Sequence, residues 1–485
     1  MTFTPQDFDR IRAAARGVLE RHRLPGISIG VVQRDVLVFA EGLGFADIES
    51  QQPMTPHLGH RIASITKTMV GLCVMALVDE GRLSLDARVT ELLPDVRFHG
   101  PAETMTVRHL LTHTSGIGEA PTPERLRDVA NPARRAAPGD FSDLYPDGVI
   151  VEVEPGSKWA YCNNGYAMLG EIVRRAEAAD LHDVMQRRIF GPLTMTDTHI
   201  LDEPHVRITT GYHRAPSEDA RFQLTRAGIP VPDEPAIDGI NIRGKFTYDF
   251  NRAMRGAGAA QSTLLDMAKY ASALLAKSRG IVRADTFDAM TSAQYCPDPR
   301  FIHWGYSFER SPRFGRTLVG HGGAYYGGWN SKLSVIAAEN IAVIQHMNIM
   351  LDDPEPVFAA ILRAVLDMPR EPLERRPTDA SLLESAPGEY RLPMPGALTN
   401  FRPATNVGPV RITRDGDALV LTSRWGNWKS GVQLVPADGA DPAFFAIERD
   451  DAEPSFVAFD RGAGAAVTGL HFDRLVRMLR EPDRP

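Results

Sequence analysis

One stretch constrains the fold more than any other: residues 64–80, SITKTMVGLCVMALVDE, are compatible with a helix and apolar on most of its faces. Such a helix has no side to give to water, so the rest of the chain must enclose it. Its most apolar part, Met69 to Val78, is about half of the ~20 residues needed to cross a bilayer, so the surroundings are protein rather than lipid. With 485 residues, 43% of them hydrophobic, the chain is long enough for two or three domains and needs no disulfide staples.

The remaining bulk properties exclude several classes. A net charge of -7 without a basic run argues against a nucleic-acid partner, which requires surplus Lys and Arg. Cys73, Cys162 and Cys296 are too few and too scattered for a disulfide framework or a zinc knuckle, and an odd count fits a reducing compartment. The first residues read as a helix capped by Thr4, with Pro5 in its first turn, Asp7 three residues after the cap, and Phe8, Ile11, Ala15 and Val18 on one face. They lack the apolar core of a signal peptide. The expectation is a cytoplasmic protein with no membrane partner.

Residues 26–46 form a hairpin pattern with a polar turn at Gln33 to Asp35. Helices are expected at 164–178 and from Thr263, where Asp266 is a capping partner. Residues 118–150 and 212–254 read as long loops of the kind that form lids or pocket walls. Strands follow at 331–337 and 341–347, and an amphipathic helix ends at Met368. Residues 369–387 are polar and carry four prolines, the composition of a linker. Beyond it the pattern is purely β, with a hairpin cue at Asp415-Gly416. The expected division is 1–368, a linker over 369–387, and an antiparallel barrel or sandwich over 388–485.

The chemistry starts at Ser64-Ile65-Thr66-Lys67. Residues three apart share a helix face, so Lys67 lies one turn below Ser64, near the positive end of the helix. A serine hydroxyl becomes a nucleophile when a neighbouring base takes its proton, and burial favours the neutral lysine that can do so. No other lysine of the chain has a serine three positions before it. Two companions follow in order. Tyr161-Cys162-Asn163 can aim a phenol at the serine and an amide at a substrate carbonyl. His321-Gly322-Gly323-Ala324 opens a strand along which a substrate backbone can lie, with a backbone N–H free to hold an oxyanion.

With these residues the chain resembles the serine β-lactamase and penicillin-binding-protein superfamily, nearest the branch of class C β-lactamases, D-aminopeptidases and β-lactamase-like carboxylesterases. The likeness runs from about Gly26 to Asn348, through RIASITKTM, LVDEGRLSLDARVTELLP, MTVRHLLTHTSGI, PGSKWAYCNNGYAMLGEIV and GHGGAYYGGW. It implies an α/β half and an all-α half with the site between them. It makes Ser64 the nucleophile, Lys67 its proton partner, Tyr161 a base or relay, and Asn163, His321, Gly322 and Gly323 substrate contacts. The N–H groups of Ser64 and Ala324 become the oxyanion hole. The tail is similar to the lipocalin-like barrel appended in some relatives, where it can contact the cleft and so restrict substrate size. His321-Gly322-Gly323 replaces the Lys-Thr-Gly of many β-lactamases, which removes a grip on a penicillin carboxylate.

The expected function is hydrolysis of an amide or ester in a small-molecule or peptide acyl substrate, without cofactor or metal. Two alternatives use the same residues. One is an acyltransferase or peptide cyclase of the penicillin-binding-protein-type thioesterase kind. The other is a penicillin sensor that acylates without turnover. His109 and His113 stand four apart, but Leu110 occupies the position where a zinc protease carries Glu.

Overall fold

The computed structural model describes residues 3–117, 142, 145, 148–200, 206–213, 236–237, 240–241, 254–325, 328–351, 353–369, 372–392, 408–424, 428–449, 453–462, 466–472 and 476–481. Most of the two segments read as long loops, 118–150 and 212–254, lies outside the described residues.

Helix α1 (Pro5–Arg21) opens with the expected capping box between Thr4 and Asp7 and buries Ile11, Ala15 and Val18. Strands β1 (Gly26–Gln33) and β2 (Val36–Asp47) pair antiparallel around Arg34 and Asp35, both at positive φ as a tight hairpin turn requires. They belong to an eight-stranded antiparallel sheet. Its central strands are β1, Ile341–Met347 and Trp329–Ile336, followed outward by Arg316–Tyr325, the strand that carries His321. Every residue of β1 is buried because both faces of the sheet are covered. Ile27, Ile29 and Val31 pack with α1 and the helix Glu355–Leu366. On the opposite face Leu264, at the start of the Thr263-capped helix Leu264–Leu275, approaches Gly30. The sheet is therefore the middle layer of three.

The apolar stretch of residues 64–80 lies in the second, helical part. Its regular α-helix is Thr66–Asp79, where every residue from Thr66 to Leu77 is buried. Ser64 stands just outside it, in a 3-10 turn over Ala63–Ile65, rather than in the helix itself. The helix Asn163–Glu177 packs in the same core through Tyr166, Leu169 and Val173.

Eight strands between Gly388 and Arg480 close into a barrel, sealed where Tyr390 and Arg391 pair with Arg480 and Leu479. The Asp415-Gly416 hairpin turns as expected, with Asp415 opposite Ala418 and Gly416 at φ 57°. Inside the stretch read as a linker, Ala380–Ser385 is helical, capped by Asp379, and sends Leu382 and Leu383 into the barrel core. Two leucines among polar neighbours are too short a pattern to announce a helix. The barrel meets the rest of the chain where Phe301 packs on Phe444 and Ala458 and where Arg300 bonds Asp441 at 2.7 Å.

Candidate active site

The turn that carries Ser64 is held in a conformation a free peptide would avoid. Ala63 has φ 49°, a left-handed backbone that costs an L-residue about 1 kcal/mol or more. Three contacts impose it. The Ala63 methyl packs against Tyr325 and Trp329. The Thr66 hydroxyl donates to Ala63 O at 2.6 Å and accepts the Ala260 N–H at 3.1 Å. Ile62 N–H also reaches Ala260 O, at 3.1 Å.

Lys67 is fully buried. Its Nζ donates to Ser64 Oγ at 3.1 Å, to Asn163 Oδ1 at 2.7 Å and to the carbonyl of Ala257. An ammonium carries three donors, and this lysine has three acceptors around it. The charge also sits 4.9 Å from the ring centre of Tyr161 and 5.5 Å from that of Tyr166, within the range of cation–π attraction. The two phenols differ. Tyr166 is fully buried, its hydroxyl lies 2.9 Å from Leu111 O and 2.8 Å from Ser307 Oγ, and burial pushes its pKa up, which keeps it protonated. Tyr161 is only half-buried.

Asn163 begins the helix Asn163–Glu177, and Cys162 caps it, its Sγ accepting the Gly165 N–H at 3.3 Å. The cysteine thus serves as a small capping residue. Around Tyr161 stand His113 at 4.4 Å between ring centres, Trp304 at 6.1 Å and His321 at 6.2 Å. His321 is buried, and Nδ1 donates to Gly322 O at 2.5 Å, which leaves the lone pair on Nε2. Burial, followed by the nearby Lys67 charge, pushes its pKa down to about 3, so the ring is neutral.

The sequence reading gives both glycines after His321 to an approaching substrate, and the structure separates them. A Cβ on Gly323 would lie 2.1 Å from Ile62 O, so this glycine lets the strand close onto the chain's own turn that carries Ser64. A Cβ on Gly322 would find nothing nearer than 3.9 Å. The contact leaves Ala324 one residue beyond it on the strand and Ser64 two residues beyond it on the turn.

Ser64, Lys67, Tyr161 and Asn163 therefore converge directly, while His321 joins them through the rings of Tyr161 and Trp304. His113, Trp304, Tyr166 and the Ala257 carbonyl join the site without any role expected from the sequence pattern. His113 stood inside the MTVRHLLTHTSGI block, where only its spacing from His109 was weighed. The two histidines serve different ends: His109 Nδ1 accepts the Thr106 N–H at 3.2 Å, and His113 Nδ1 accepts the Cys162 N–H at 2.9 Å. Among the described residues no group of three His, Cys, Asp or Glu side chains could hold a metal ion.

A buried lysine bonded to a serine hydroxyl, beside a phenol and an asparagine, sets out the parts of a serine-nucleophile site. The chain belongs to the Beta-lactamase family, which matches residues 11–367. It is similar to esterase EstB of Burkholderia gladioli, 31% identical over 236 residues, which are 46% of this chain and 58% of that protein. It is also similar to a D-aminopeptidase of Gluconobacter oxydans (strain 621H), 26% identical over 407 residues, covering 79% of this chain and 69% of that one. The octameric penicillin-binding protein homologue from Pyrococcus abyssi shares the fold, with a TM-score of 0.60 at 23% identity over 98% of this chain and 100% of the other.

Proposed function

We propose that the chain is a serine hydrolase that cleaves an amide or ester in a small-molecule or peptide substrate through an acyl-enzyme on Ser64. The observation that carries this reading is the fully buried Lys67 Nζ 3.1 Å from Ser64 Oγ. Lys67 in its neutral amine form takes the hydroxyl proton, with the Tyr161 phenol as relay, as Oγ attacks the carbonyl carbon, so the ammonium must first give up one proton. The N–H groups of Ser64 and Ala324 receive the oxyanion of the tetrahedral intermediate. Its collapse breaks the amide or ester bond, and the leaving group departs with the proton. Water then attacks the acyl-enzyme by the reverse proton path. Asn163 orients the substrate as well as Lys67, and His321, Gly322 and Gly323 form one wall. With a neutral His321 in place of a lysine, that wall carries no cation for a penicillin carboxylate, so the reading favours open-chain amides and esters over β-lactams.

The chemistry is assigned to residues 1–368, and the division into a linker over 369–387 and a barrel over 388–485 is kept with the helix Ala380–Ser385 counted to the barrel side. No disulfide joins Cys73, Cys162 or Cys296, which suits a cytoplasmic setting. Among the described residues no helix is long and apolar enough to cross a membrane. The test is turnover of p-nitrophenyl esters and D-aminoacyl amides by the wild type and by Ser64→Ala. The variant should lose all turnover above the uncatalysed rate, and retained turnover would remove Ser64 as the nucleophile.

A further inference from the structure

We infer that His113 is a positioning residue for the reaction: it grips residues 160–162 at two points, so that Tyr161 and Asn163 are delivered to Lys67. The inference rests on the serine-hydrolase reading above. His113 follows the short helix Val107–Leu111 and belongs to a different element from any of the groups it serves. Its backbone carbonyl accepts the Ala160 N–H at 2.8 Å, and its Nδ1 accepts the Cys162 N–H at 2.9 Å. The two bonds bracket the residue between them, Tyr161. The imidazole lies against the phenol at 4.4 Å and 33°, and it touches Tyr166 at 5.0 Å and Trp304 at 4.9 Å. Cys162 is also the cap of the helix that begins at Asn163, so its N–H fixes where Asn163 Oδ1 meets Lys67. One side chain thereby sets the phenol and the amide together.

The position restricts which residues can do this. His113 has φ 58°, a left-handed backbone in which histidine, asparagine and aspartate are enriched. The bond needs an uncharged acceptor two atoms beyond Cβ, because a second cation beside Lys67 would be repelled and an accepting Nδ1 has to be deprotonated. The ring meets that condition: burial, then the charge of Lys67 and the neighbouring His321, hold it well below the ordinary imidazole range. Asparagine can reproduce the acceptor and the backbone without the ring. Glycine tolerates the backbone and supplies no acceptor.

The experiment compares His113→Gly and His113→Asn with wild type on a p-nitrophenyl ester, with Ser64→Ala alongside and thermal melts on each. His113→Gly should lower kcat about 100-fold with KM within about threefold, the scale of loss when reacting groups are misplaced by an ångström. His113→Asn should restore kcat to within about fivefold of wild type by returning the acceptor. Should His113→Gly fail to fold, His113→Leu replaces it, with side-chain bulk and no acceptor. Wild-type kcat in the variant without an acceptor, or equal losses in both variants, overturns the inference. Ser64→Ala separates the two levels: if it is inactive while His113→Gly is unimpaired, only the role of His113 falls, whereas an active Ser64→Ala removes the underlying reading.

Discussion

The core behind Ser64 and the interior of the barrel are both closed to water, yet they are filled by opposite chemistry. Within residues 1–368 the chain buries Lys67, His60, His113, His321 and His346. Among the described residues, His113 Nε2, His321 Nε2, Ser331 Oγ and both ring nitrogens of His346 are buried without a hydrogen-bond partner. The barrel is packed by Leu421, Leu434, Phe445, Phe459, Leu470 and Met478, and its buried phenol, Tyr390, is satisfied by Ala386 O at 2.6 Å. Unpartnered buried polar atoms cost stability, so a core rich in them is held together by its surroundings. The described barrel interior is packed by apolar side chains, whereas the core around Lys67 keeps buried polar groups at a cost in stability.

The sharpest way to break this contrast is Lys67→Met. Removing the proton partner should lower kcat about 1000-fold. Met removes a buried charge but also withdraws the Lys67 donor from Asn163 Oδ1 and the Ala257 carbonyl, so the two effects offset and the melting temperature should change little. A large fall in Tm together with the loss of activity would make Lys67 a structural residue. The counterpart in the barrel is Phe445→Ala, which should reduce unfolding free energy by about 3 kcal/mol in a denaturant titration. Folded Phe445→Ala protein at low temperature should keep the wild-type kcat, and a lost kcat would tie the barrel core to the chemistry.

Acid sharpens the comparison next. Burial pushes His321 and His346 down to about 3 from an ordinary 6.5. The unfolded chain binds these protons below 6.5 and the folded chain does not. The stability they preserve is therefore complete above pH 6.5 and declines as pH falls towards 3, by about 1.4 kcal/mol per pH unit for each ring. Melts between pH 7.5 and 4.5 should slope accordingly, and His346→Gln should remove about one ring's share. An unchanged slope in that variant would contradict the assignment. The smallest effect is expected at the barrel's turn. Gly416 has open space around it and φ 57°, so Gly416→Ala should cost about 1 kcal/mol of backbone strain.

How much of this was legible follows from the range over which a sequence pattern acts. The capped helices at Thr4 and Thr263, the hairpins at Arg34-Asp35 and Asp415-Gly416, and the pairing of Ser64 with Lys67 are local, and all were readable. Tyr161 and Asn163 were readable only because their motif follows in order along the chain. His113 was not, because the bond to Cys162 joins residues 49 apart, and no periodicity reports a contact of that span. Trp304 and the Ala257 carbonyl are missing for the same reason. The left-handed Ala63 was equally invisible: the contacts that hold it include Tyr325, Trp329 and Ala260, all distant in the chain, and an alanine before a serine carries no sign of strain. Gly323 was noticed for a substrate's approach, whereas the backbone it admits belongs to Ile62.

The most direct test of a lysine-activated serine is the position of the acyl group. The protein is mixed with an activated ester, quenched in acid during the first turnover, digested with trypsin and examined by mass spectrometry. The adduct should appear on the peptide of residues 62–67, fragment to Ser64, and be absent from Lys67→Met at the same quench time. An adduct on any other residue, or equal labelling of Ser64 in Lys67→Met, would contradict the account.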